Sequence, residues 1–169
     1  MQSIIRYPHA VPPKVFWEKV FFDAAYQQRL HVDVLGATDF EILEQTGTVE
    51  TGVKRRVRMA FAADAPAAIR KLVGDSFASV EDGSFDPKTS TFTYRVTPSA
   101  MADKLSIGGD MRAEARPDGT MERVVVVDIH AKILGIGKMV EGFIDKQIRD
   151  SHAKVRKFTD QWIAEQGLG

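Results

Sequence analysis

The sequence of 169 residues contains no cysteine. This absence excludes disulfide bonds, metal sites built from thiolates and a cysteine nucleophile, and it fits a reducing compartment. The sequence also lacks an excess of charge of either sign, because Lys and Arg together number 23 and Asp and Glu together also number 23. A chain with zero formal net charge has no overall attraction to polyanions, so we expect no nucleic acid among its partners.

Long apolar runs are absent as well. No stretch approaches eighteen uninterrupted apolar residues, and the N-terminal "MQSIIRYPHAVPPK" has no basic region followed by a long apolar one. These absences predict a soluble protein of the cytoplasm. The length suits one domain with a sizeable core, and no repeat or linker interrupts it, so we expect a single domain over residues 1–169.

The first third of the chain predicts a strand and two short helices. A β-like run, "SIIRYPH", stops at Pro8, and "PPKVFWEKVFFD" places its prolines where a first helical turn tolerates them. Asp23 is suited to cap a second helix, "AAYQQRLHVDVLG", which closes at Gly36. The chain therefore passes from a strand through two helices in tandem.

The rest of the chain predicts strands, a short helical insertion and a long final helix. Alternation from residue 38 predicts two strands joined near "QTGT", and "DAPAAIRKLVGD" predicts one or two helical turns. Four further strands follow at "FASVEDGSF", "TFTYRV", "KLSIGGDMRAEA" and "ERVVVVDIHAKI". From Gly137 to Gln166, apolar residues recur at intervals of mostly three and four, which predicts one long amphipathic helix.

This order of elements resembles the START-like, Bet v 1-related superfamily (SRPBCC). The strings "APAAIRKLVGD", "PDGT" and "ILGIGKMVEGFID", with a later "WI", make the chain similar to an uncharacterised bacterial branch of it. The resemblance implies an α+β helix-grip fold, in which a curved antiparallel sheet of about six or seven strands wraps around a long C-terminal helix, with two short helices after the first strand. It also implies a cavity for a lipid, sterol, quinone or similar apolar ligand.

The alternation of apolar and polar residues along the strands agrees with such a cavity. One face of the predicted sheet is dry and the other wet, but a filled core would give the same periodicity. The resemblance favours a cavity between the sheet and the last helix. The candidate ligand-binding residues are Arg55, Val57, Met59, Phe92, Tyr94, Leu105, Ile107, Met111, Phe143, Ile144, Gln147, Ile148 and Ser151.

Three polar residues interrupt these apolar faces. Gln147 and Ser151 fall within the apolar stripe of the last helix, where a backbone carbonyl, a water or a ligand could satisfy them. Arg55 shares its phase with the apolar residues of its strand, so we expect it to face the interior and to be paired. Its partner is Glu44 or an acidic group of the ligand, unless a bulge at Gly52 shifts the phase.

The stretch "ILGIGKMVEGF" joins the last strand to the last helix. It lacks the spacing of a phosphate-binding loop on both sides of its Gly-Lys pair. Its apolar residues either close the end of the core or form, with the helical insertion, a gate that touches membranes transiently. Arg70 and Lys71 would add attraction to anionic headgroups. The candidate gate residues are Ile69, Leu72, Ile136, Lys138 and Met139.

No catalytic or metal-binding pattern stands out, and no cofactor is predicted. The four histidines fall on separate elements without metal-ligand spacing, and no Gly-x-Ser-x-Gly elbow is present. We therefore expect reversible binding of an apolar small molecule, with intracellular transfer as a further role. The alternatives are a cyclase or dehydratase, which needs a titratable pair in the cavity, and a chaperone-like interaction module with a filled core.

Overall fold

A computed structural model describes all residues from Met1 to Gly169. Its seven strands form one antiparallel sheet in the order β1-β7-β6-β5-β4-β3-β2. The strands are β1 (Gln2–His9), β2 (Asp39–Thr48), β3 (Gly52–Ala62), β4 (Ser76–Asp86), β5 (Thr91–Pro98), β6 (Leu105–Ala115) and β7 (Met121–Ala131). Between β1 and β2 the chain crosses to the opposite edge of the sheet, and from β2 it returns strand by strand to β7.

The helices lie where the sequence predicts them. The first helical segment consists of α1 (Pro13–Phe16) and a π-helical continuation (Trp17–Phe21), and the second consists of α2 (Ala24–Gln28) and a π-helical continuation (Arg29–Val34). The insertion forms α3 (Ala67–Val73), and the last helix is α4 (Gly137–Glu165). This arrangement confirms the helix-grip α+β fold with seven strands.

Local signals explain where the helices begin and end. The Asp23 carboxylate accepts a hydrogen bond from the Tyr26 backbone N–H at 2.8 Å and so caps α2. Gly36 follows the second helical segment with a φ of 75°, which a glycine adopts without strain. In the first turns of α4, Glu141 accepts a hydrogen bond from the Ala131 backbone N–H at 3.0 Å, which ties the helix to the end of β7.

The long helix packs only on the strands at one edge of the sheet. α4 packs on β7 and β1, where Tyr7 and His152 share a hydrogen bond of 2.8 Å. Strands about 4.8 Å apart make a seven-stranded sheet about 29 Å wide, whereas a helix with its side chains is about 10 Å across. α4 therefore cannot cover the strands at the opposite edge of the sheet. None of the helices is both long and apolar enough to span a membrane.

An aromatic cluster closes part of the remaining space. Trp17 of the first helical segment lies 4.6 Å from Phe85 of β4, between ring centroids, and Phe21 lies 5.0 Å from Phe92 of β5. Tyr26 of α2 stacks on Phe158 of α4 at 5.4 Å. The two helical segments thus bridge the sheet and the long helix.

Gly83 of β4 provides a test of this packing. A methyl group at Gly83 would overlap the ring of Phe92, which is 1% exposed and enclosed by other aromatic rings. We expect Gly83→Ala to lower the free energy of unfolding by about 1–3 kcal/mol, because the ring has no free space to enter. Gly142→Ala in α4, where no atom lies within 4 Å, should raise it by about 0.5–1 kcal/mol. Urea unfolding measures both, and equal effects would contradict the packing described.

Candidate functional site

A cavity of about 560 Å³ lies between the sheet and α4. Of the 38 residues that line it, 26 are hydrophobic. They come from β3 to β7, the helical segments, α3 and α4. Both the volume and the apolar lining are typical of sites that bind small molecules. The dry face of the sheet is therefore only partly filled by side chains.

Most of the predicted ligand-binding residues line this cavity. Val57 is the exception: it is 2% exposed and does not line the cavity. Their contact with a ligand stays a prediction. The residues in the lining are Arg55, Met59, Phe92, Tyr94, Leu105, Ile107, Met111, Phe143, Ile144, Gln147, Ile148 and Ser151.

The cavity opens to solvent beside the middle of α4. Some lining residues are exposed, and they mark this opening: Gly36, Ala62, Asp64, Gln147 and Lys154. Gln147 is therefore not a buried polar residue, as its place in the apolar stripe suggested. Because water reaches its amide, it needs no internal partner. Ser151, one turn further along α4, is half-buried.

The predicted gate residues divide into two groups. Ile69 is 5% exposed and lines the cavity. Leu72 and Ile136 are half-buried, Met139 is 43% exposed, and all three lie outside the lining. The Lys138 side chain is 93% exposed, and its Nζ lies 3.5 Å from a Glu141 carboxylate oxygen.

Arg55 faces the interior, as its phase predicts, but its partner is not Glu44. Its guanidinium donates to Glu81 Oε1 of the neighbouring strand β4 at 2.8 Å, and its side chain is 4% exposed. The register of β2 shifts between Ile42 and Glu44, which moves Glu44 off the face that Ile42 occupies. β3 runs without a shift from Val53 to Ala62, so no bulge changes the phase of Arg55.

Sequence reasoning missed a second buried arginine, Arg123 of β7. Arg123 is 6% exposed, lines the cavity and has no carboxylate within 4.0 Å. Its Nε donates to the Met111 thioether at 2.9 Å, while its Nη1 is buried without any partner. Its guanidinium carbon lies 5.4 Å from the ring of Phe16 and 5.7 Å from that of Tyr7. Arg123 is in phase with the apolar residue Val125 of its strand, so the pattern that predicted an inward-facing Arg55 also predicts an inward-facing Arg123.

Three titratable side chains near this arginine, His152, Tyr7 and Tyr94, stay uncharged at neutral pH. Burial, with a smaller contribution from the Arg123 guanidinium, lowers the pKa of His152 to about 3. Burial raises the pKa of Tyr7, whose hydroxyl contacts His152 Nδ1, and also that of Tyr94, whose hydroxyl donates to the Val126 carbonyl at 3.2 Å. An imidazole and two phenols held in this way exchange few protons near pH 7. No group of three or more His, Asp or Glu side chains is arranged to hold a metal ion.

Comparison with solved structures finds proteins of the same fold over nearly the whole chain. TTHA0849 from Thermus thermophilus superposes with a TM-score of 0.69 at 12% identity, over 98% of this chain and 99% of that one. Zhui aromatase/cyclase from Streptomyces sp. R1128 gives 0.66 at 14% identity, over 95% and 92%. Major latex-like protein 151 from Panax ginseng gives 0.62 at 11% identity, over 95% of each chain. These superpositions confirm the helix-grip fold that we expected from the sequence.

The chain belongs to the family described as protein of unknown function (DUF2505), whose sequence profile matches residues 6–163. No curated protein matches its sequence.

Substitution of the two buried arginines should have different effects on stability. Arg55→Leu leaves the Glu81 carboxylate without its partner, so we expect the free energy of unfolding to fall by about 3 kcal/mol. Arg123→Met removes a buried charge that has no counter-ion, which stabilises the protein, but it also removes the contacts of this charge with aromatic rings. The free energy of unfolding should therefore rise by about 1 kcal/mol or stay unchanged. Urea unfolding at pH 7 measures both changes. A large loss of stability in Arg123→Met would contradict the unpaired state of this guanidinium.

Proposed function

We propose that the protein binds an apolar small molecule, such as a lipid, sterol or quinone, in the cavity between the sheet and α4. The observation that supports this proposal is the cavity of about 560 Å³ with its mainly hydrophobic lining. Burial of roughly 300 Å² of ligand surface at about 25 cal/mol per Å² contributes about 7 kcal/mol before the costs of association. Apolar contact thus supplies most of the affinity.

The two alternatives have less support. A chaperone-like module with a filled core does not require a cavity of ligand size. A cyclase or dehydratase requires a titratable pair that exchanges protons in the cavity. The likeness to Zhui aromatase/cyclase is at 14% identity and concerns the fold. His152 lines the cavity but stays neutral, and its partner Tyr7 is not among the lining residues. Binding without chemistry is therefore the function we favour.

A cavity-filling substitution tests the binding proposal. Val96 of β5 lines the cavity, whereas the next residue, Thr97, is exposed on the other face of the strand. We expect Val96→Trp to weaken binding of the neutral fluorophore N-phenyl-1-naphthylamine at least about tenfold, because the indole would occupy its space. Thr97→Trp is the matched control and should bind like the wild type. Fluorescence titration measures both, and equal affinity in the two variants would reject this cavity as the site.

Transfer of the ligand between membranes is a further part of the proposal. A carrier needs a surface that touches a bilayer briefly, and the β7–α4 junction offers Leu134, which is fully exposed, and Met139, which is 43% exposed. Lys138 adds a positive charge beside them, worth about 1 kcal/mol near an anionic surface. Contact of this kind is weak and salt-sensitive. The cysteine-free composition supports a cytoplasmic location, which stays a prediction.

Substitutions at this junction test the membrane contact. In a protein that stays folded, Leu134→Ser combined with Lys138→Glu should lower co-sedimentation with anionic vesicles several-fold at low salt, since both exposed apolar area and charge are lost. Ile4→Ser, at an exposed apolar residue of β1, serves as the control. Unchanged vesicle binding in the double variant would show that membranes are contacted elsewhere or not at all.

A further inference from the structure

The interior of the cavity carries more positive than negative charge. Five charged residues line the cavity, and two of them, Asp64 and Lys154, are exposed at its opening and have opposite signs. The other three are Arg55, Glu81 and Arg123. Glu81 balances Arg55, to which it is hydrogen-bonded at 2.8 Å. The Arg123 guanidinium therefore remains without a counter-ion.

The unsatisfied buried polar atoms of the lining residues are of one kind, whereas His9 Nε2, which is also buried and unpartnered, belongs to a residue outside the lining. Arg55 Nε and Arg123 Nη1 are both buried and unpartnered, and both are donors. The two guanidinium carbons lie 4.4 Å and 6.0 Å from the ring of Phe21, so both arginines border the same part of the structure. What this part of the cavity lacks is an acceptor with a negative charge. Buried donors of this kind are rare unless a ligand, ion or water satisfies them.

The contacts that Arg123 makes provide no negative charge, because they are with the Met111 thioether, the neutral Tyr26 hydroxyl and the faces of aromatic rings. A thioether is a weak acceptor, and Met111 is a flexible side chain that itself lines the cavity. A headgroup could displace this sulfur without breaking an ion pair. The aromatic rings of Phe16 and Tyr7 stabilise the cation by their faces, but they provide no acceptor for Nη1.

We propose that the ligand is an amphiphile with an anionic headgroup, a carboxylate or a phosphate, which the Arg123 guanidinium binds while the apolar tail fills the rest of the cavity. This inference rests on the proposed function and specifies the class of ligand. A guanidinium presents two parallel N–H donors that match the oxygens of either group, so the pairing is both strong and oriented. The apolar wall contributes affinity, and Arg123 selects the headgroup.

Probes that share one tail and differ in the headgroup test this inference. Calorimetric titration at pH 8 would compare dodecanoate, dodecyl phosphate, dodecanol and dodecyltrimethylammonium, with inorganic phosphate alone as a probe that lacks the tail. We expect the wild type to bind an anionic probe about tenfold to a hundredfold more tightly than dodecanol, as a charge-assisted hydrogen bond implies. The stronger of dodecanoate and dodecyl phosphate identifies the headgroup, and the cationic probe should bind least.

A variant assigns the preference to Arg123. In Arg123→Met the ratio of the dissociation constants for dodecanol and the preferred anion should fall to about one, whereas Arg95→Met, at an exposed arginine on β5, should keep the wild-type ratio. A carboxyl-¹³C label on dodecanoate gives a second measurement: the guanidinium should lower the pKa of the bound carboxyl in the wild type but not in Arg123→Met.

The outcomes separate this inference from the proposed function. Equal binding of anionic and neutral probes by the wild type would overturn the inference and leave apolar binding intact. A preference that persists in Arg123→Met would overturn the role of this residue. Failure of every probe with a tail to bind would overturn the proposed function and the inference with it.

Discussion

A single helix cannot cover a seven-stranded sheet, and the rest of this structure depends on that mismatch in width. A sheet about 29 Å wide faces a helix about 10 Å across, so α4 takes the side formed by β1 and β7 and leaves the other strands without it. The two helical segments fill part of the difference with Trp17, Phe21 and Tyr26. The part that they leave is the cavity. An apolar face that would otherwise be core thus becomes the wall of a cavity.

The two arginines in this cavity differ in whether the protein itself supplies a counter-ion. The Arg55–Glu81 pair joins two neighbouring strands, and each member makes the burial of the other tolerable. Arg123 has no such partner, and its burial lowers stability unless something outside the chain compensates. A group that destabilises the free protein and is satisfied by a ligand favours the bound state. In the function proposed above, this difference is the physical basis on which Arg123 would distinguish anionic from neutral ligands.

The sequence predicted the order of elements, and twelve of its thirteen candidate ligand-binding residues line the cavity, because alternation along a strand and a period of three to four along a helix are local properties. It predicted that Arg55 faces inward from its phase, and the same argument applied to Arg123. Glu81 could not be identified, since it depends on the register between β3 and β4, and the shift after Ile42 that removes Glu44 leaves no local signal. Periodicity also could not separate a cavity from a filled core, nor show that Gln147 lies at an opening.

The most direct test of this account is native mass spectrometry of the protein purified gently, without detergent, from its own host. We expect a species whose mass exceeds that of the 18.8 kDa chain by one small amphiphile, released on unfolding and detected as an anion. A chain that carries no ligand, and that also stays unliganded after incubation with a total lipid extract of the host, would contradict the central claim that this cavity is a binding site.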